Sequence, residues 1–421
     1  MMRLGRQQTI GAVIGFVGLF LLGYAAPNLT DESRSFSFER PPDPLSWTFS
    51  PGIVVATVGT VFALTAVLTF VDREDGRYQR IATITSGVLF LPLVVVVALA
   101  LSDSSSTNVV QLIVESLRLG TPIALGAMAG LWCERSGVVN IGIEGMMLGS
   151  AGVGFLAYAV LGGANSVPWL WFAIGVAVLT GGLIAALHAL MSVTFRVDQI
   201  ISGVVVNLLA LGVTGFLRSE VIVERGVTSG VPTSDFGFPL LGSIPVLGEQ
   251  LFTGRPIFFS MFAIVFASWF VLFRTPFGLR IRSVGENPHA AETLGVDVVR
   301  TKYLAIIIGG CIAGLGGAWF SMESQGGFQD NMTNGAGFIA LAALIFGKWR
   351  PWTAFAGAML FGFTRALGSR LQILGVEVST FEIPSEFWQS LPFVVTIVIV
   401  AGLIGRAIPP AAIGRPYERS R

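Results

Sequence analysis

Apolar runs of about 20 residues, each long enough for a hydrocarbon core of about 30 Å, recur along the whole chain. They predict membrane-spanning helices over residues 8–26, 50–71, 81–101, 108–132, 138–161, 167–195, 200–217, 257–273, 303–322, 335–347, 351–369 and 387–405. Twelve crossings put both termini on one side. The run at 335–347 is too short for a full crossing, and residues 326–337 before it are rich in Gly and Asn. That combination predicts a broken or re-entrant helix lining a cavity, since irregular backbone is not tolerated against lipid. Two polar stretches are long. Pro27 to Phe49 is rich in proline and charge, and Arg218 to Pro256 reads as a small extracellular cap rich in Gly and Pro.

One short polar stretch has its own pattern. Val284 to Asp297, VGENPHAAETLGVD, lies between apolar runs with arginines on both sides. Asn287 suits an N-cap, Pro288 the first helical position and Gly295 the C-terminal stop. The segment predicts a capped helix of about two turns outside the bilayer, a rigid peg on which another protein can push.

Composition narrows the class. The 421 residues are 53% hydrophobic and 12% charged, with a mean hydropathy of +0.75. A soluble domain carries roughly twice that charge, so the chain is an all-α polytopic membrane protein. Its 52 glycines suit close helix packing in lipid. Cys133 and Cys311 have no metal-ligand spacing and no evident partner, so neither a disulfide framework nor a metal site is expected. The first run follows Arg3 and Arg6 and resembles a signal peptide. Its length, and the further spans behind it, favour an uncleaved helix. Of the 26 Lys and Arg, 18 fall in segments on the N-terminal side and six on the other, with Arg118 and Arg365 inside spans. The bias puts both termini, and the capped segment, in the cytoplasm.

The chain also echoes itself. Gly137 to Gly149 begins one membrane run and Gly335 to Gly347 forms another, both interrupted by glycine and running in opposite directions. Spans 108–217 and 303–405 then read as inverted four-helix repeats, and paired interrupted helices point to a translocation path. The same glycines also suit tight packing. Asn140 and Glu144 in the first repeat, and Asn331 and Asn334 in the second, are the candidates for the path. Ionisable groups within spans are costly and default to functional candidates, which adds Glu115, Arg118, His188 and Arg365. Against that, Glu115 and Arg118 sit three apart and suit pairing with each other, and His188 suits a satisfied packing role.

Three stretches carry a resemblance: ERSGVVNIGIEGMML at 134–148, VGENPHAAETLGVD at 284–297 and NMTNGAGFIALAALIFGKWRPW at 331–352. Over about 108–405 the chain resembles the permease subunits of ABC importers for simple sugars and nucleosides, within the ribose and branched-chain amino acid permease superfamily. It is most similar to the nucleoside branch that works with basic-membrane-protein-type binding lipoproteins. The resemblance implies a ten-helix core like that of the cobalamin importer, with two inverted four-helix repeats. About two extra N-terminal helices precede it. The organisation expected is extra helices and an extracellular loop at 1–80, a first half at 81–217, an extracellular loop at 218–256, a helix and coupling segment at 257–302, a second repeat at 303–405 and a cytoplasmic tail at 406–421.

The resemblance also implies partners: an ATP-binding cassette protein, a second homologous permease in a heterodimer, an extracellular solute-binding lipoprotein and the lipid of the cell membrane. Nucleic acid is not among them. ATP and magnesium belong to the partner, because this chain has no G-x-x-x-x-G-K-[ST] loop and its two lysines, Lys302 and Lys348, lack that context. No cofactor is expected in this chain, and it is not itself an enzyme. The coupling contact is then expected at Gly285, Glu286, Asn287, Pro288, Ala290, Ala291, Glu292 and Gly295, with His289 on the polar edge. An ion-coupled secondary transporter is the alternative, since it shares inverted repeats and broken helices. An intramembrane enzyme is disfavoured by the lack of any H-E-x-x-H or Gly-x-Ser-x-Gly constellation.

Overall fold

The computed structural model describes residues 6–29, 32–38, 45–71, 77–102, 104–161, 167–224, 226, 233, 235–245, 248–373, 377–378, 381–382, 384–398 and 407–418. The architecture is helical throughout, with only short strands between the helices. Among the described residues eight helices are long and apolar enough to cross a membrane, and Ile84–Ala100 and Ala336–Phe346 are shorter apolar helices. The expected all-α polytopic fold is therefore observed. The last expected span, 387–405, begins with Ser385–Gln389 and Leu391–Val398, and its remainder lies outside the described residues.

The chain forms two compact units. The first comprises Met1–Ile113 and Arg365–Gly402. In it Arg6–Phe20, continued through a five-residue π turn, packs against Pro51–Val71. The pair is very close: a Cβ at Gly18 would lie 2.7 Å from the Ala63 nitrogen. In lipid such small-residue contacts take the place of a hydrophobic driving force. The stretch between these helices is not the plain loop that its proline and charge content suggests. Arg34–Ser37 pairs antiparallel with Ser46–Phe49 and parallel with Ser106–Asn108. Three aromatic rings, Phe36, Trp47 and Phe49, cluster on this small sheet.

The second unit comprises Val114–Thr364 and Leu403–Arg421 and holds all three motif segments. Its α-helices of six or more residues are Val109–Arg135 (from Val114 onward), Ile143–Leu161, Val167–Ala189, Gln199–Leu217, Pro256–Arg274, Pro276–Glu286, Pro288–Thr293, Val298–Ala318, Ala336–Phe346 and the first part of Pro351–Ile373. Val167–Ala189 and Val298–Ala318 meet backbone to backbone, where a Cβ at Gly181 would sit 2.3 Å from the Gly310 carbonyl oxygen. Two boundaries differ from the apolar pattern. The run at 138–161 becomes helical only at Ile143, because 136–142 is irregular. The polar stretch after residue 274 is not a loop around one peg but two helices, Pro276–Glu286 and Pro288–Thr293. Pro276 at its first turn, and Thr275 accepting from Gly278 N–H at 3.2 Å, start the first of these.

Candidate functional site: a broken membrane helix clamped beside a capped peg

The short helix Ala336–Phe346 has 11 residues, so it spans about 16 Å, half of a hydrocarbon core of about 30 Å. Its N-terminus therefore needs acceptors inside the protein. Residues before it cannot supply them by ordinary capping, since Gly335 stands at the cap position with φ +75° and no side chain. The acceptor is Glu144, from the first turn of Ile143–Leu161. Its carboxylate accepts from the Thr333 hydroxyl at 2.6 Å, from Gly335 N–H at 2.9 Å and from Gly337 N–H at 2.6 Å. A negative charge there also complements the positive end of the helix dipole. Contact is so close that a Cβ at Gly337 would lie 2.5 Å from the Glu144 backbone nitrogen.

The other end of the short helix is held by the same motif. Trp349 donates its indole N–H to Glu134 at 2.5 Å. Arg135 donates through Nε and Nη2 to the Trp349 carbonyl at 3.0 and 2.6 Å. The irregular stretch 136–142 thus runs alongside the short helix, from Trp349 at one end to Gly335 at the other. Its polar backbone is satisfied partly by backbone bonds and partly by side chains, as a membrane setting demands. Val139 N–H donates to Gln199 at 2.8 Å, and the Val139 carbonyl lies 3.1 Å from His188 Nε2. Asn207 donates to the Ile141 carbonyl at 3.1 Å and accepts from Gly145 N–H at 2.8 Å. His188 Nδ1 lies 2.9 Å from the Ser202 hydroxyl, so both ring nitrogens are engaged. His188 is a satisfied packing residue.

The peg is built as its sequence predicts. Asn287 accepts from Ala290 N–H at 3.1 Å, Pro288 opens the helix, and Gly295 takes φ +79°. Gly295 N–H donates to Glu292 and Val296 N–H to Ala291, at 2.8 and 3.1 Å, which is a full Schellman stop. One side of the peg faces inward. Ala291 packs with Val284, Val298 and Tyr417, and Gly285 is buried. Glu286, Asn287, His289, Ala290 and Gly295 face outward, with Pro288 and Glu292 half-buried. Leu294 is 84% exposed. Chain residues 407–418 help to cover that inward side: Ala412 N–H donates to the Gly285 carbonyl at 2.9 Å, and Ala411 N–H to Glu286 at 3.1 Å.

Sequence reasoning placed four residues on a path, and the structure separates them. Glu144 is committed to the short helix. Asn140 is fully buried and its amide oxygen has no partner. Asn331 and Asn334 are exposed and left-handed, at φ +53° and +41°. Glu323 was missed, because it lies one residue past the expected span. Its carboxylate accepts from Ile257 and Phe258 N–H at 2.6 and 3.0 Å, capping Pro256–Arg274. The signal was the lack of a capping residue: Arg255 precedes Pro256 and leaves orphan donors. Glu323→Ala is expected to destabilise the protein by about 2–6 kcal/mol, from two buried donors at about 1–3 kcal/mol each. Thermal unfolding of the purified protein in detergent measures it.

The model of the branched-chain amino acid transport system permease component matches residues 112–401. The chain belongs to this family. It is similar to the guanosine ABC transporter permease protein NupQ of Bacillus subtilis, 39% identical over 73% of this chain and 96% of that one. The nucleoside ABC transporter permease protein NupC of Lactococcus lactis is 38% identical over 75% and 99%. A putative glucose ABC transporter permease protein, TsgC13 of Haloferax volcanii, is 34% identical over 72% and 96%. No solved structure matches. The chain is thus the multi-pass permease subunit of an ABC importer, a transport subunit that implies ATP-binding and substrate-binding partners. Nothing in these likenesses favours the ion-coupled alternative.

Proposed function

We propose that this permease carries nucleosides inward across the cell membrane, with both termini cytoplasmic and the peg as the contact for a separate ATP-binding subunit. A second, homologous permease completes the path, and an extracellular lipoprotein delivers the solute. The observation that carries the coupling assignment is Leu294: a large apolar side chain, 84% exposed, on a doubly capped helix whose opposite side is packed. Pro288, Ala290, Glu292 and Leu294 make the contact. Gly285, Glu286, Asn287, Ala291 and Gly295 give the peg its shape and seat. Asn331 and Asn334 line the path, and Asn140 offers its unpartnered amide oxygen there. Glu144 positions the short helix beside it. Nucleosides are favoured over sugars by the identities of NupQ and NupC.

The test is uptake of labelled guanosine into vesicles holding the full complex. ATP depletion or vanadate is expected to abolish it, and excess guanosine to compete where glucose does not. Leu294→Glu is expected to leave the melting temperature of the permease unchanged and to weaken subunit assembly and uptake about tenfold or more, the loss of one well-buried interface anchor. Uptake that persists without ATP, or normal uptake by the Leu294→Glu variant, overturns the reading.

A further inference from the structure

Arg135 touches more of the working parts than any neighbour the motifs suggested. Two of its nitrogens hold the Trp349 carbonyl, just past the short helix. The third, Nη1, lies 4.0 Å from Glu286 at the base of the peg. The guanidinium carbon sits 5.5 Å from the centre of the Phe273 ring, at the end of Pro256–Arg274. Its own carbonyl oxygen is where a Cβ on Gly285 would fall, at 2.1 Å. Peg, short helix and preceding membrane helix therefore converge on one side chain. Only a planar fork with five donors serves these contacts at once; a lysine ammonium reaches fewer.

The segment that Arg135 holds is strained. Lys348 and Trp349 adopt φ +51° and +53°, left-handed values for two successive residues with side chains. Such a conformation persists only where neighbours enforce it. Backbone bonds of a helix stop, Lys348 N–H to the Ile345 carbonyl at 3.0 Å and Trp349 N–H to Leu344 at 3.3 Å, hold the first left-handed residue. Arg135 on the carbonyl and Glu134 on the indole hold Trp349, the second. An element held under strain by a residue that also contacts the peg has the parts of a latch, with two arrangements available to it.

We infer that Arg135 is the positioning residue through which movement of the peg reaches the short membrane helix, by holding or releasing the strained Lys348–Trp349 turn. The inference rests on the peg being the contact for the ATP-binding subunit. Displacement of Pro276–Glu286 shifts Glu286 and Gly285 against Arg135, and Arg135 shifts the end of Ala336–Phe346. Glu144 then acts as the fixed pivot at the other end.

The experiment measures guanosine transported per ATP hydrolysed, in liposomes holding the complete complex with its binding protein. Arg135→Ala is expected to cut that ratio about tenfold while ATP hydrolysis stays within about twofold of wild type, a coupling loss of the usual allosteric size. Arg135→Lys, which keeps a cation opposite Glu286 but not the pair of hydrogen bonds to the Trp349 carbonyl, is expected to fall between the two. An unchanged ratio in both variants overturns the inference. So does a parallel fall of hydrolysis and transport in Arg135→Lys, which marks a merely structural role. If Arg135→Ala does not assemble, the ratio in Arg135→Lys decides alone. Failure of the underlying reading is seen separately, in wild-type transport that does not depend on ATP.

Discussion

Replacing Glu144 by alanine is expected to remove fold stability and uptake together. The variant leaves three donors without their acceptor, the buried Thr333 hydroxyl and Gly337 N–H and the half-buried Gly335 N–H. At about 1–3 kcal/mol for each of the two buried donors, the total is about 2–6 kcal/mol, a large part of the stability of a typical domain. Glu144→Gln keeps one oxygen but turns an amide NH2 towards a donor, so it is expected to fall between wild type and alanine. Asn140→Ala serves as the contrast, because the amide oxygen it removes has no partner and its NH2 has only a weak one, the Met146 sulfur at 3.6 Å. It is expected to leave the melting temperature nearly unchanged and to act on solute selectivity alone. Thermal unfolding of the detergent-purified permease, read beside vesicle uptake, separates the cases. A Glu144→Ala protein that melts normally yet transports nothing would make Glu144 a solute contact and not a helix cap.

Gly285→Ala is the second large effect, and it acts through shape alone. The added Cβ would lie 2.1 Å from the Arg135 carbonyl oxygen and 2.9 Å from its carbonyl carbon. Both are backbone atoms and cannot rotate aside, so Pro276–Glu286 must move. Moving it breaks the Ala412 N–H bond to Gly285 and the Ala411 N–H bond to Glu286. Uptake is expected to fall about tenfold or more, because an orienting contact displaced by about 1 Å commonly costs that much. Hydrogen exchange across 276–297 is expected to quicken, while the membrane helices keep their protection. Unchanged exchange and normal uptake would show that the seat of the peg tolerates displacement. Gly295→Ala is the milder companion. It meets no neighbour, and only the left-handed φ opposes it, at about 1–2 kcal/mol.

Much of this was legible in the sequence, and particular residues say why. Asn287, Pro288 and Gly295 are local signals: each acts on backbone within about one turn, so a stretch of 14 residues contains its own instructions. The short helix at 336–346 was equally legible, as an apolar run shorter than a membrane is thick, preceded by Gly and Asn. The membrane-interior polar residues were legible only as costly. Position within a span says that Glu144 and His188 need partners, but not which, and it does not single out Asn207 or Glu323. All four carry helix ends or irregular backbone, and one of them, Glu323, lies beyond the end of the expected span. The helix Pro276–Glu286 was hidden because its polar arginines match a loop as well as a surface helix, and only Thr275 and Pro276 marked its start.

By itself the sequence determined the class, the order of the apolar segments, the broken helix and the capped peg, since each follows from hydropathy or from bonds within a few residues. Tertiary structure decided what these pieces do to one another. It brought Glu134, Arg135 and Glu144 to the two ends of a helix some 200 residues away, and laid the Gly285 backbone on Arg135. Those contacts depend on where buried donors find acceptors once water is excluded, and that is settled by packing across the unit and not by any local pattern.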